Sequence, residues 1–179
     1  AATIAELGHE FEHDTVRRRV SEWYWCGVFG ELYGSAIESR LALDIAELPA
    51  WARGGERLPS TVEQATVRAD RLRSMRSRLS AAYKGVNALL MKTGARDFRS
   101  GQDFDDTVFY EENVDIHHIF PRDWCRRQTP KIDKTYCDSI VNKTPLSART
   151  NRIIGGVAPS DYLDRLQKGG TKAPPIAPK

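Results

Sequence analysis

Residues 115–121 have the sequence DIHHIFP, in which two adjacent histidines lie in a run of strand-forming residues that a proline ends. Branched and aromatic residues favour a β-strand, and Pro121 cannot continue one. We therefore predict a strand over residues 114–120. Because neighbouring strand residues face opposite sides, His117 and His118 should point in opposite directions. One histidine can then bind a metal ion while the other faces a substrate.

The residues that follow predict a partner strand and a helix. Residues 139–141 (Ser-Ile-Val) are expected to form the return strand of a hairpin, after a basic connection over 124–138. Residues 148–154 then open a short helix, and a last helix begins at Pro159. Taken alone, Asn142 fits a turn and Asn151 fits a helix N-cap. Taken with the two histidines, both asparagines indicate a site.

The chemistry that this set of residues favours is phosphodiester hydrolysis. Such a reaction needs a base with a pKa near neutrality, a divalent cation and a frame that aligns them. Histidine suits the first task, and imidazole and amide groups can hold a cation. A lone strand histidine is usually structural, but the pair of histidines with two asparagines at this spacing favours catalysis.

The first 95 or so residues have helical patterns and predict a bundle of about four helices. The predicted helices cover 14–33, 37–48, 60–78 and 79–92. Capping boxes at Ser35–Glu38 and Ser60–Glu63 are expected to start the second and third, and Pro49 to end the second. Trp23, Tyr24 and Trp25 could stack nucleobases, but core packing is favoured because no basic residue lies among them. The five arginines between 68 and 78 fit either phosphate contacts or a solvated helix face.

Charge and cysteine content limit the class of protein. The chain has a net charge of +3 and its basic excess lies after residue 110, beside the histidine pair, which fits a polyanionic substrate. Three cysteines without close pairs argue against a disulfide framework and a paired-cysteine zinc site, and favour a reducing cytoplasm. No apolar run approaches the roughly 20 residues of a membrane helix. The chain does not begin with Met, so we expect a part of a longer protein.

Several motifs together resemble one nuclease family. Residues 115–121, Asn142 and Asn151 resemble the H-N-H endonucleases of the ββα-metal fold. With residues 94–98, 138–146, 150–156 and 159–163, the chain is similar to the C-terminal nuclease domains of GmrSD-type and SspE-type anti-phage restriction proteins. The resemblance implies a ββα-metal H-N-H nuclease module over residues 96–170. With the helical patterns of residues 1–95, this predicts a mainly α (α+β) chain that begins with a helical bundle. The tail 171–179 contains three prolines and is expected to be disordered.

The resemblance also implies a role for each site residue. His118 matches the general base that activates water, and Asn142 the asparagine that braces the loop and orients this base. His117 and Asn151 match the two metal-ligand positions, with Mg²⁺ or Mn²⁺ as the expected ion. Asp115 has no family role, and strand alternation suggests that it supports His117. The residues expected to contact DNA phosphates are Arg126, Arg127, Lys143, Arg149 and Arg152.

The resemblance implies a DNA endonuclease that nicks or cleaves with low sequence specificity. In that family a nucleotide-binding, ParB-like N-terminal domain controls the nuclease, and this sequence contains no such domain. One competing interpretation is a degenerate H-N-H-fold module that binds DNA or a protein without catalysis. Another is a ribonuclease.

Overall fold

The computed structural model describes residues 1–104 and 115–168, which form two compact units. Unit 1 comprises Ala1–Arg68 and Leu79–Gly85, and unit 2 comprises Ala69–Arg78 and Val86–Lys179. The described part is mostly helical with a two-stranded antiparallel sheet, which agrees with the predicted mainly α (α+β) class. The domain boundaries predicted after residues 95 and 170 stay predictions, and the tail 171–179 lies outside the described residues.

Unit 1 is built from helices. Its elements are α1 (Ala2–Leu7), a 3₁₀ turn (Gly8–Glu12), α2 (Asp14–Phe29), α3 (Ile37–Ala52), α4 (Ser60–Gln64) and the first residues of α6 (Ala81–Lys92). Leu7, Val16, Val20 and Ala52 form a buried cluster against which Trp23 packs. Val16 and Val20 are four residues apart, so they lie on one side of α2, and that side is buried.

A buried carboxylate ties the helices of unit 1 together. Asp44 on α3 is 2% exposed, and it accepts hydrogen bonds from Trp23 Nε1 (2.8 Å), Tyr33 Oη (2.5 Å) and Thr61 Oγ1 (2.7 Å). Burial and the neighbouring carboxylate raise the pKa of Tyr33 to about 12, so this donor stays protonated. Trp23 therefore serves the core, as favoured from the sequence, while Trp25 stacks on Phe29 with ring centroids 5.3 Å apart.

Three local predictions in the helical half are wrong. α3 continues through Pro49 to Ala52, where burial of Leu48 and Trp51 offsets the one lost hydrogen bond. Neither predicted capping box forms, since α3 follows Ala36 in a left-handed conformation and α4 follows Pro59.

The predicted helix over 60–78 is also wrong, because the chain breaks into α4 and α5 (Arg71–Ser74). Ala65 and Met75 are extended. These two helices belong to different units, and Met75 is buried in unit 2, where its carbonyl accepts from the Ile140 amide (2.8 Å). Packing thus outweighs helix propensity here.

Unit 2 carries the sheet. β1 (Asp115–His118) pairs with β2 (Lys143–Leu146) so that His118 lies opposite Lys143. The elements around them are the end of α6, α5, α7 (Arg122–Arg127), α8 (Lys134–Asp138), a 3₁₀ turn (Ile140–Asn142), α9 (Ala148–Ile154) and α10 (Pro159–Lys168). Leu146, Ile154, Tyr162 and Leu166 form the buried cluster of the unit.

The return strand was predicted four residues too early. Residues 140–142 form a 3₁₀ turn, and β2 includes Pro145, which has no amide hydrogen. The Ile119 amide donates to the Asn142 carbonyl (2.9 Å), so the antiparallel pattern makes Ile116 and Pro145 a non-hydrogen-bonded pair. Proline is tolerated there because its missing donor would have pointed away from β1. The outward Ile116 carbonyl accepts from Arg78 Nη2 (2.6 Å).

Among the described helices, none combines the length and the apolar character that crossing a bilayer requires.

Candidate functional site

His118 is the last residue of β1 and its imidazole is directed at a carboxylate. Nε2 lies 3.0 Å from Oδ1 of Asp138, the last residue of α8, and the two side chains are 17% and 12% exposed. The same oxygen accepts from Arg122 Nε at 2.7 Å, on the first residue of α7. β1, α7 and α8 therefore bring His118, Arg122 and Asp138 into one chain of hydrogen bonds.

The charges around this chain determine the protonation states of its members. Burial lowers the pKa of His118 below 6.5; the hydrogen bond that His118 donates to Asp138 opposes this, while Arg122 and Lys143 add to the decrease. Burial raises the pKa of Asp138, but hydrogen bonds from Arg122 and His118 outweigh it, so the pKa is lowered overall. At neutral pH His118 is therefore largely neutral and Asp138 ionised.

The ionised carboxylate also selects the tautomer of His118. A carboxylate can only accept, so the Nε2 atom that faces it carries the proton. The lone pair of the neutral ring is then on Nδ1. A carboxylate that holds the orientation and tautomer of a neutral histidine is the arrangement found in serine proteases.

Asn142 braces the loop that follows His118. Its Oδ1 accepts from the Phe120 amide (2.8 Å), and its Nδ2 donates to the carbonyls of Phe120 (3.0 Å) and Cys137 (2.8 Å). The side chain is buried and its donors and acceptor are directed at backbone. Asn142 thus holds in place both the loop that follows β1 and the end of α8, where Asp138 lies.

His117 and Asn151, the predicted metal ligands, lie on β1 and α9. His117 is half-buried and, by alternation, on the opposite face of β1 from His118. Asn151 is half-buried inside α9, whose N-cap is Ser147, so the simple N-cap interpretation of Asn151 is wrong. Within the described part of the chain the Asn151 side chain makes no hydrogen bond. The side chain of Asp115 lies outside what the structure describes.

A second buried carboxylate orients the helix that carries Asn151. Asp97 is 3% exposed; its Oδ2 accepts from the Ser147 amide (2.9 Å) and its Oδ1 from Thr150 Oγ1 (2.7 Å). Burial raises the pKa of Asp97, but hydrogen bonds from Ser100, Ser147 and Thr150 outweigh it and the pKa is lowered. The start of α9 is therefore tied to residue 97.

The residues predicted to contact DNA differ in their surroundings. Arg126, Arg127, Arg149 and Arg152 are exposed, and Arg126 pairs with Asp123. Arg127 donates to the Gly156 carbonyl. Lys143 is instead 8% exposed, and burial followed by the charge of Arg78 lowers its pKa. Four of the five predicted cations therefore reach solvent.

The described structure brings one set of possible metal-ligand atoms together in unit 2, and a second set is predicted from the sequence. One donor atom each of His118, Cys137 and Asp138 lies within 4.8 Å of the others. The predicted pair of His117 and Asn151 offers an imidazole nitrogen and an amide oxygen. The sequence alone did not indicate the first set.

A cavity of about 450 Å³ adjoins the first donor set. Cys125, Cys137 and Asp138 line it, together with three basic side chains. The basic lining residues are Arg122, Arg126 and Lys134. The opening therefore suits an anionic group near His118.

The sequence-based prediction missed Asp138, Arg122 and Cys137. The sequence analysis placed Asp138 at the end of the basic connection and at the start of the stretch 138–146, without a role in the site. No local sequence signal indicates it, because its contact with His118 depends on how the short helices 122–127 and 134–138 pack.

Comparison with known proteins gives one long match. The chain is 33% identical over 152 residues to an uncharacterized protein of Methanocaldococcus jannaschii, a match that covers 83% of this chain and 25% of that relative. The chain therefore spans about a quarter of the length of the curated relative. No protein-family model matches the chain, and no solved structure matches it.

Proposed function

We propose that this chain is a metal-dependent DNA endonuclease of the H-N-H type, with its ββα-metal module in unit 2. The observation that supports this most is the Arg122-Asp138-His118 chain at the end of β1. It provides a neutral imidazole with a defined tautomer, on a loop that Asn142 braces. These are the properties that a water-activating base needs.

In the proposed reaction, Nδ1 of His118 accepts a proton from water as the oxygen attacks the scissile phosphorus. The imidazolium that forms is stabilised by Asp138, which already accepts from Nε2. Arg122 keeps Asp138 ionised before and after the proton transfer. The protein thus supplies the base, its orientation and the counter-charge.

The second requirement is a cation, Mg²⁺ or Mn²⁺, that neutralises charge on the phosphate and the leaving oxygen. His117 and Asn151 fit this task by their chemistry. Both are half-buried, and the Asn151 amide is not engaged by any described residue. Asp97 supports this role of Asn151 by tying down the start of α9.

DNA binding is assigned to the exposed cations Arg126, Arg127, Arg149 and Arg152, with Lys143 closer to the site. By the family resemblance, the chain is the effector part of a cytoplasmic anti-phage restriction protein. A ParB-like nucleotide-binding domain elsewhere would control it. The short coverage of the longer relative is compatible with such an arrangement.

One observation favours a second candidate function. The thiol of Cys137 lies within 4.8 Å of a ring nitrogen of His118, where a hydrolytic site does not need it. A metal bound there permanently would make unit 2 a non-catalytic DNA-binding or interaction module.

A plasmid assay tests the proposal. The full chain with Mg²⁺ or Mn²⁺ should convert supercoiled plasmid to open circle, and EDTA should stop it. His118→Ala should lower the rate by at least about 100-fold, because a general base contributes about 10² to 10⁴. His13→Ala, which removes an exposed histidine of unit 1, is the matched control.

Cleavage by His118→Ala at the wild-type rate would reject His118 as the base. No cleavage by the wild-type chain, with DNA still bound, would favour the non-catalytic module. A side-by-side RNA substrate separates a deoxyribonuclease from a ribonuclease.

A further inference from the structure

The atoms around Nε2 of His118 are chemically mixed. A thiol, a carboxylate and an imidazole each place one ligand atom within 4.8 Å of the other two. Zn²⁺ accepts sulfur, nitrogen and oxygen ligands in a compact tetrahedron, whereas Mg²⁺ strongly prefers oxygen. This donor set is therefore suited to a thiophilic cation and not to the cation of the proposed hydrolysis.

The hydrogen bond between His118 and Asp138 does not explain why the thiol of Cys137 lies next to these two side chains. Cys137 is 6% exposed, and a second cysteine, Cys125, is 2% exposed and lines the same cavity. Both are free cysteines. Four potential ligands from β1, α7 and α8 are thus gathered beside one cavity.

We propose that His118, Cys137 and Asp138 form a Zn²⁺ site, with Cys125 as the nearest candidate for the fourth ligand, and that Zn²⁺ bound there inhibits the enzyme. The binding part stands on the donor set alone. The inhibitory part rests on the proposed nuclease function.

Inhibition follows from the two nitrogens of one imidazole. Nε2 is the ring nitrogen that faces Asp138, 3.0 Å from its Oδ1, so a metal shared by the two residues binds Nε2. A neutral ring has a single lone pair in the plane, the metal at Nε2 uses it, and the proton resides on Nδ1. The base is then blocked at the atom that would accept the proton from water. Zn²⁺ replaces the thiol proton of Cys137, which passes to solvent, and it draws Asp138 away from its role toward His118.

Cobalt(II) is a visible probe of this site. The full chain titrated with Co²⁺ should bind one ion with a thiolate-to-cobalt charge-transfer band. Cys137→Ser should lose at least half of this band, since only Cys125 could then supply a thiolate, whereas Cys26→Ser, in unit 1, should keep it in full. Zn²⁺ affinity, from competition with a chromogenic chelator, should fall by more than about 100-fold in Cys137→Ser, because losing an outer-shell partner alone costs about 10- to 100-fold.

An unchanged charge-transfer band in Cys137→Ser, or no band in the wild-type chain, would overturn the site. X-ray absorption on the Zn²⁺-loaded wild-type chain needs no variant and guards against misfolding. The expected result is a sulfur shell at about 2.3 Å. A shell of nitrogen and oxygen only would also overturn the site.

Inhibition is measured separately. With excess Mg²⁺, Zn²⁺ equimolar with the chain should lower wild-type nicking by at least tenfold, and Cys137→Ser should be inhibited far less relative to its own rate. Equal inhibition of both would reject the inhibitory role. A chain that shows the cobalt band but never cleaves DNA would keep the zinc site and reject the nuclease, so the two failures are distinguishable.

Discussion

Each unit buries a carboxylate to which several side chains donate, Asp44 in unit 1 and Asp138 in unit 2, and the two differ in their donors. Asp44 is bonded by an indole, a phenol and a hydroxyl. Asp138 is bonded by an imidazole and a guanidinium, with a thiol nearby. Both carboxylates are nearly removed from solvent. Burial alone therefore does not separate a structural carboxylate from a chemical one.

The groups that donate hydrogen bonds to Asp44 and to Asp138 distinguish the structural carboxylate from the chemical one. The groups around Asp44 do not exchange protons near neutral pH, so that cluster can only hold helices together. The imidazole beside Asp138 changes its charge near neutrality, and the carboxylate there can stabilise one charge state over the other. We infer that removing Asp138 affects chemistry first, whereas removing Asp44 affects folding first.

The largest expected effect is that of Asp138→Asn on nicking. Asparagine keeps the size of the side chain but offers an amide that can donate to Nε2, which would favour the wrong tautomer of His118. We expect the rate to fall by about 100- to 10,000-fold, as for general bases that lose their orienting acid. The unfolding free energy should change by only about 1 kcal/mol. Both are measured on the same preparation, by plasmid conversion and urea unfolding.

Asp103→Asn is the control for that variant, since Asp103 is an exposed carboxylate of unit 2 that pairs with Arg96. It should leave nicking unchanged. A normal rate in Asp138→Asn would remove the distinction between the two buried carboxylates.

Asp44→Ala should lower the free energy of unfolding. It leaves Trp23, Tyr33 and Thr61 without their acceptor, and unsatisfied buried donors cost about 1–3 kcal/mol each, not additively. We expect the unfolding free energy to fall by about 3–5 kcal/mol in urea titrations followed by tryptophan fluorescence. Glu22→Gln, on the exposed side of α2, is the control and should change it by less than about 0.5 kcal/mol. A loss no larger than the control's would contradict the structural role of Asp44.

The sequence predicts the histidine strand, α9 and α10 because local signals agree there with tertiary structure. The strand-forming run ends at Pro121, and Ser147 caps the helix that holds Asn151. The return strand was misplaced because Ile140 and Val141 have high strand propensity, whereas the bonds of Asn142 to the backbone impose a turn. Pro145 disfavoured the true strand.

The acidic half of the candidate site could not be predicted for a different reason. Asp138 and His118 are twenty residues apart, and their contact depends on two short helices that propensity does not reveal. Nothing in the sequence distinguishes Asp138 from Asp133, which caps α8 through the Thr135 amide. To predict a contact between two residues that are far apart in sequence, one must know how the elements that carry them pack in the folded chain.

The smallest expected effect, and the most direct comparison of charge states, is on the pH dependence of nicking. The base must be neutral, so the rate should be constant above the pKa of His118 and fall about tenfold per pH unit below it. Burial lowers this pKa, so the inflection should lie below pH 6.5.

In Asp138→Asn the carboxylate that raises the pKa of His118 is lost, while burial, Arg122 and Lys143 still lower it. The residual activity should therefore show its inflection at lower pH than the wild-type chain, with Asp103→Asn unchanged. An inflection that moves to higher pH would mean that Asp138 does not stabilise the imidazolium, and its cluster would then be structural, like that of Asp44.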